Sequence, residues 1–167
     1  MFRLKAPAKI NWFLKILEKR SDGYHEIQSL IQKITLYDVL TFTPLEAAST
    51  PTDNVKLETS APIPAEQNLI YKAAMLLKDR YGIKKGAVIH LEKNIPMGAG
   101  LGGGSSDAAS ALMGLNELWA MGLSVEELSD MAAELGSDVP FFLYGSLSYV
   151  HGRGEKLIPC RALKPVS

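Results

Sequence analysis

A chain of 167 residues, 47% apolar and 22% charged, can bury a core within one domain. Its 18 Lys and Arg balance 18 Asp and Glu, so no overall field gathers nucleic acid or anionic lipid, and a polyanionic ligand must be held by local geometry. One cysteine, Cys160, excludes an internal disulfide framework and a cysteine-rich metal site, and with no signal-peptide core or membrane-length apolar run it suggests a cytoplasmic, soluble protein.

Short alternating or apolar stretches predict strands over residues 2–6, 9–18, about 25–35, 38–44 and 54–59. Ser21-Asp22-Gly23 reads as a turn, and Glu46 to Asn54, rich in Ala, Ser, Thr and Pro, reads as a surface loop. Asn68 to Tyr81 carries Leu69, Ala73, Leu76 and Leu77 at helical spacing, with Gly82 where a helix stop belongs. Ala87 to Leu91 is the next strand. It leads into Pro96-Met97-Gly98-Ala99-Gly100-Leu101-Gly102-Gly103-Gly104-Ser105-Ser106, and a helix follows from Asp107 to Trp119, with Ala108, Ala111, Leu112, Leu115 and Trp119 on one face. Ser124 and Glu127 form a capping box for a helix ending at Leu135 before Gly136. Residues 139–150 look extended, and Gly152-Arg153-Gly154 marks a turn. Strands interrupted by helices in this way predict an α+β fold with a mixed sheet.

The glycine run carries the chemistry. Glycine reaches positive φ without a Cβ clash, so such backbone can turn several amides toward one point. The helix behind it adds unpaired N–H groups and the positive end of its dipole, and together they suit a phosphate. A Walker A loop would need Lys after its last glycine, where Ser105 and Ser106 stand. Gly98-x-Gly100-x-x-Gly103 matches the dinucleotide fingerprint in letters. However, Pro96-Met97 separates it from the strand, and the acid about 20 residues on, Glu117, falls inside a helix. The plain alternative is a solvated loop without a ligand, though five glycines within seven positions ahead of a helix are unusual for one.

The stretch Pro96 to Ser106 resembles the second motif of the GHMP family of small-metabolite kinases, which includes galactokinase and the homoserine, mevalonate and phosphomevalonate kinases. Pro7-Ala8-Lys9-Ile10-Asn11-Trp12-Phe13-Leu14 resembles its first motif. Asp22-Gly23-Tyr24-His25, Asn68-Leu69-Ile70 and Leu135-Gly136-Ser137-Asp138-Val139-Pro140 narrow the likeness to a branch of non-mevalonate isoprenoid synthesis whose alcohol substrate carries a cytidine diphosphate. The resemblance implies a ribosomal protein S5 domain 2-like fold, the family's N-terminal ATP-binding domain, over residues 1–160. Residues 161–167 would begin an interdomain segment. The family's C-terminal domain, with a third glycine motif and part of the cytidine pocket, has no counterpart in this sequence.

The activity implied is ATP-dependent phosphorylation of a small-molecule hydroxyl, with Mg²⁺ carried by ATP and no dedicated metal ligands. A family kinase of another alcohol (homoserine or mevalonate) and a non-catalytic nucleotide-binding module are the alternatives. By family position, residues 96–106 cradle the β- and γ-phosphates, with Ser105 and Ser106 adding hydroxyl donors or capping the helix. Asp138 orients the acceptor hydroxyl and takes its proton, and Lys9 beside it keeps it charged. Read alone, Asp138 suits a turn equally well and Lys9 a solvated surface. Tyr24 would stack on the cytosine, His25 bond that base through its backbone, and Asn11 assist at the sugar-alcohol end. Asn68 and Lys93 would approach the adenine or ribose, with an N-cap and a solvated strand end as their structural alternatives.

Overall fold

The computed structural model describes residues 1–45, 54–60, 62–154 and 156–160. The sequence suggested four separate strands in the first 45 residues, but the chain forms two long ones, β1 (Phe2–Lys19) and β2 (His25–Leu45). They pair antiparallel from Phe2↔Phe42 to Lys19↔His25. β1 continues through Pro7 because it lies at a sheet edge, where a residue without an N–H is tolerated. The ladder slips at three places: between Pro7 and Lys9, between Asn11 and Phe13, and between Ile16 and Lys19.

β2 is central. Its other edge pairs with β4 (Gly86–Glu92) through residues 39–45 and with β5 (Leu147–Gly152) through residues 27–32. β3 (Val55–Thr59) runs parallel to β4, which makes the sheet mixed. β6 (Lys156–Cys160) pairs with β5 at the far edge. Sequence reading missed β6, because Pro159 argues against a strand except at such an edge. Most of the expected loop from Glu46 to Asn54, and the segment 161–167, lie outside the described residues.

Among the described residues, three α-helices cover the sheet. α1 (Leu69–Tyr81) ends at Gly82 in the left-handed region, φ 64°. α2 (Gly103–Leu118) packs on β1 and β2 and against α1 and α3 (Val125–Leu135). Ser124 and Glu127 close the expected capping box of α3. Leu40, Phe42 and Ile89 from the sheet meet Ala108, Leu112 and Leu115 from α2 in the core. No helix among the described residues is long and apolar enough to cross a membrane.

Two expectations are corrected. α2 begins at Gly103 rather than Asp107, so the last glycines and both serines belong to its first turn. Residues 140–143 are not extended but form a short 3₁₀ helix, Pro140–Leu143. Pro140 sits in its first turn, where no N–H is needed, and Phe141 and Phe142 are buried with their rings edge to face at 5.1 Å.

Candidate active site

From the end of β4 the chain runs over an exposed turn before entering α2. Gly98, Gly100 and Gly102 hold φ values of 71°, 73° and 69°. Gly102 is the N-cap of α2 and supplies no side chain, while the first helical bond, from Ser106 N–H to Gly102 C=O, measures 2.9 Å. The amides of Gly103, Gly104 and Ser105 precede that bond and are left to face outward. Neither serine caps the helix, and Ser106 Oγ is buried without a hydrogen-bond partner.

Two of these glycines are required by packing from beneath. A Cβ on Gly102 would stand 2.9 Å from Lys9 Cγ and from Phe142 Cζ, and one on Gly103 would stand 2.9 Å from Lys93 Nζ. At Gly104 the nearest atom, Leu69 Cδ1, is 4.0 Å away, so room is left there. At residues 102 and 103 a side chain would therefore collide with the protein's own Lys9, Phe142 and Lys93.

β1 is fastened to this turn by its backbone, since Lys9 N–H donates to Leu101 C=O at 2.9 Å. Lys9 is 9% exposed. Its ammonium donates to Asn11 Oδ1 at 2.7 Å and lies 3.6 Å from Asp138 Oδ2. Lys9 and Asn11 are two apart in a strand and share a face. Asn11 Nδ2 donates to Ser29 Oγ at 2.7 Å, and that hydroxyl donates to Phe13 C=O, which fixes the amide. Asp138 stands in the turn between α3 and the 3₁₀ helix, with its side chain 42% exposed. Glycine turn, cation, amide and half-exposed carboxylate thus meet at one place, drawn from β1, the β4–α2 turn and the segment after α3.

Tyr24 and His25 lie apart from that cluster, exposed near the tip of the β1–β2 hairpin. The tip is ordered by charge: Arg20 bonds Asp22 at 3.1 Å and Glu26 at 2.5 Å, and Tyr24 N–H donates to Asp22 Oδ1. Glu26 also accepts from Gly152 N–H, and these two donors, Arg20 first, hold its carboxyl below the usual range. The Arg153 guanidinium lies 4.9 Å from the Tyr24 ring centre. A cavity of about 760 Å³ is lined by Tyr24 and Arg153 and by Ser137 and Pro140, which flank Asp138. The tyrosine therefore shares a cavity with the carboxylate's own segment.

On the other side of the glycine turn a cavity of about 250 Å³ is lined by Asn68, Leu69, Lys93, Met97, Gly104 and Asp107. Asn68 is the N-cap of α1, with Oδ1 accepting from Ile70 N–H at 2.9 Å. Lys93 is no solvated strand end. Its ammonium donates to Asp38 Oδ2 at 2.5 Å and Asp107 Oδ2 at 2.7 Å. Burial alone would lower the Lys93 pKa, but the two carboxylates outweigh it and raise it above the ordinary value. Sequence reading missed both acids. The available signal for Asp38 was a carboxylate in the otherwise strand-like run Tyr37-Asp38-Val39-Leu40. Among the described residues, no group of three His, Cys, Asp or Glu side chains converges as a metal site.

Comparison with known proteins bears on the family and the fold. Residues 68–146 match the GHMP kinases N terminal domain. A protein of Thermodesulfovibrio yellowstonii named 4-diphosphocytidyl-2-C-methyl-D-erythritol kinase is 47% identical over 164 residues, which cover 98% of this chain and 55% of that one. One of the same name from Acinetobacter baylyi is 50% identical over 157 residues, covering 94% and 55%. A crystal structure of 4-(cytidine 5'-diphospho)-2C-methyl-D-erythritol kinase superposes with a TM-score of 0.81 at 41% identity, over 95% of this chain and 55% of that one. The chain spans about half the length of the relatives it matches.

Proposed function

Because this chain belongs to the GHMP kinases, we propose that it is the ATP-binding and catalytic part of a kinase that converts 4-diphosphocytidyl-2-C-methyl-D-erythritol to its 2-phosphate. Residues 1–160 form that part, and the reaction belongs to isoprenoid precursor synthesis in the cytoplasm. The observation that carries the reading is the meeting of Lys9, Asn11 and Asp138 with a glycine turn whose free amides suit a triphosphate.

In the proposed mechanism the amides of Gly103, Gly104 and Ser105 hold the β- and γ-phosphates at the positive end of α2. The acceptor hydroxyl lies between Asn11 and Asp138. Its oxygen bonds to the γ-phosphorus as the bond to the bridging β–γ oxygen breaks, ADP leaves, and the proton passes to the Asp138 carboxylate. Lys9, 3.6 Å from that carboxylate, keeps it aimed, so most of the catalysis comes from positioning. Mg²⁺ arriving on ATP relieves charge across the phosphates. Asn68 and Lys93 flank the base or ribose, Lys93 through its stem since its ammonium is taken by two acids. Tyr24, on the wall of the 760 Å³ cavity, and His25 next to it at the hairpin tip receive the cytosine.

ADP release measured with the cytidyl alcohol, homoserine and mevalonate tests the assignment. Turnover confined to either of the last two would move the acceptor. ATP binding without ADP release from any of them, even when the C-terminal half of a relative is fused on, would leave a nucleotide-binding module. That second reading is kept because this chain matches only 55% of its relatives' length.

A further inference from the structure

Lys93, Asp38 and Asp107 make a buried group with one cation and two acids, drawn from the end of β4, from β2 and from α2. The two acids are not equivalent. Asp38 is fully buried and both its oxygens are bonded: Oδ1 accepts from Asn94 N–H at 2.5 Å and Ile95 N–H at 2.8 Å, and Oδ2 accepts from Lys93. Asp107 Oδ2 accepts from Lys93, its carboxyl also faces that of Asp38, and its Oδ1 is buried with no hydrogen-bond partner. If both acids are ionised the group carries one uncompensated negative charge. It carries it beside Gly103, whose Cβ position is 2.9 Å from Lys93 Nζ, and in the wall of the cavity that Gly103 and Gly104 also line. A buried charge with an unbonded oxygen is costly, and an incoming polyphosphate of like sign raises that cost.

We infer that Asp107 is a further residue of the nucleotide site and that its carboxyl takes up a proton when the polyphosphate of a nucleotide settles on the glycine turn. The inference rests on the nucleotide reading above. Protonation leaves Lys93 paired with Asp38 and brings the group to neutrality, with no change in the packing beneath Gly103. The other groups facing this place do not supply the balancing charge. Lys9 from β1 is turned to Asn11 and Asp138, and α1 presents the neutral, backbone-bonded Asn68. Burial, opposed by Lys93, already pushes the Asp107 carboxyl up to about 7, so a modest further push is enough near neutrality.

The test is calorimetric titration of this chain with Mg²⁺–ATP between pH 6.5 and 8.5, in pairs of buffers that differ in protonation enthalpy. A further upward shift of about 1.5 in the pKa on binding gives uptake of more than about half a proton at pH 7.5 and a Kd that weakens roughly tenfold across that range. Asp107→Asn keeps an oxygen for Lys93 and removes the charge. It should abolish this share of the uptake and bind at pH 8.5 about as tightly as the parent does at pH 6.5. Because ATP itself titrates nearby, the difference between parent and variant is the quantity read. If the variant does not fold, titration of the parent with ADP and with ATP carries the test. Tight binding with no proton taken up would overturn the inference and leave the nucleotide site standing. No binding of ATP at all would overturn both.

Discussion

Gly114→Ala is a demanding check on the packing that holds the phosphate-facing helix in place. In an ordinary helix interior, alanine is favoured over glycine by about 1 kcal/mol. Here the residue faces β2, and a Cβ built on Gly114 would lie 2.3, 2.5 and 2.7 Å from three atoms of the Phe42 ring. Carbon atoms pack at about 3.5–4.0 Å, so ring or helix must move by about 1 Å. Phe42 cannot swing aside freely: it is fully buried and stacked on Phe2, its ladder partner, at 5.3 Å. Overpacking of this kind costs about 1–3 kcal/mol. Taking the upper end for three close contacts and subtracting the propensity gain leaves about 2 kcal/mol of destabilisation, or about 6 °C in Tm for a chain of this length. Thermal unfolding followed by circular dichroism, with urea denaturation beside it, reads both quantities. Phe42→Leu combined with Gly114→Ala should lose less than the sum of the two single changes. An unchanged or raised Tm for Gly114→Ala would refute the reasoning, since only the propensity term would then be visible.

At the proposed transfer site, Asp138→Ala should lower kcat roughly 10³-fold in ADP-release assays on the active enzyme, with KM for ATP little changed; parental turnover would remove Asp138 from the mechanism. Lys9→Met should lower kcat by about 100-fold and leave nucleotide affinity within about threefold, and a loss confined to affinity would contradict the role given to it. Asn68→Ala should cost about 1 kcal/mol as α1 loses its cap, whereas Asn68→Asp keeps the cap and should weaken only nucleotide binding. Lys33, half-buried and donating to Phe142 C=O and Tyr144 C=O, has its pKa lowered by burial from 10.5 to about 8. Below pH 8 both folded and unfolded chains hold that proton. Between 8 and 10.5 the unfolded chain holds more, so this contribution to stability rises with pH. Urea titrations at pH 7.5 and 9.5 should therefore move the difference between parent and Lys33→Met in the parent's favour, and a constant difference would contradict the shift.

What the sequence made legible was local. The glycine stretch, the cap at Asn68, the stop at Gly82 and the Ser124–Glu127 box each depend on residues within one turn of chain, and each stands where the pattern put it. The start of α2 was misread because glycine carries no helical signal of its own. Gly103 and Gly104 are helical through the bonds that follow them and the packing below them. The 3₁₀ helix at 140–143 hid behind an apolar run, Phe141-Phe142-Leu143, whose periodicity is equally that of a strand. The Asp38–Lys93–Asp107 group could not be read at all, since Lys93 and Asp38 are 55 residues apart and meet only when β2 pairs with β4. Glu26 and Gly152 at the hairpin tip are likewise 126 apart. Lys9 and Asp138 were linked by family likeness alone; no spacing in the chain relates them.

The slips in the β1–β2 ladder have a consequence for where an acceptor can sit. Trp12 is an unmatched residue, since Asn11 faces Ile31 and Phe13 faces Leu30. Each such bulge bends and coils its strand. A regular two-stranded arm would carry Tyr24 straight out into solvent, but this one lines a single cavity with Ser137. On the proposed function, the arm's curvature would gauge the pocket, setting how long an acceptor can be when one end touches the tyrosine and the other reaches the carboxylate. Deleting Trp12 would remove that bulge and straighten the stretch, with Phe13 still opposite Leu30. Selectivity for acceptor length would then change while every group that touches the reacting atoms stayed the same.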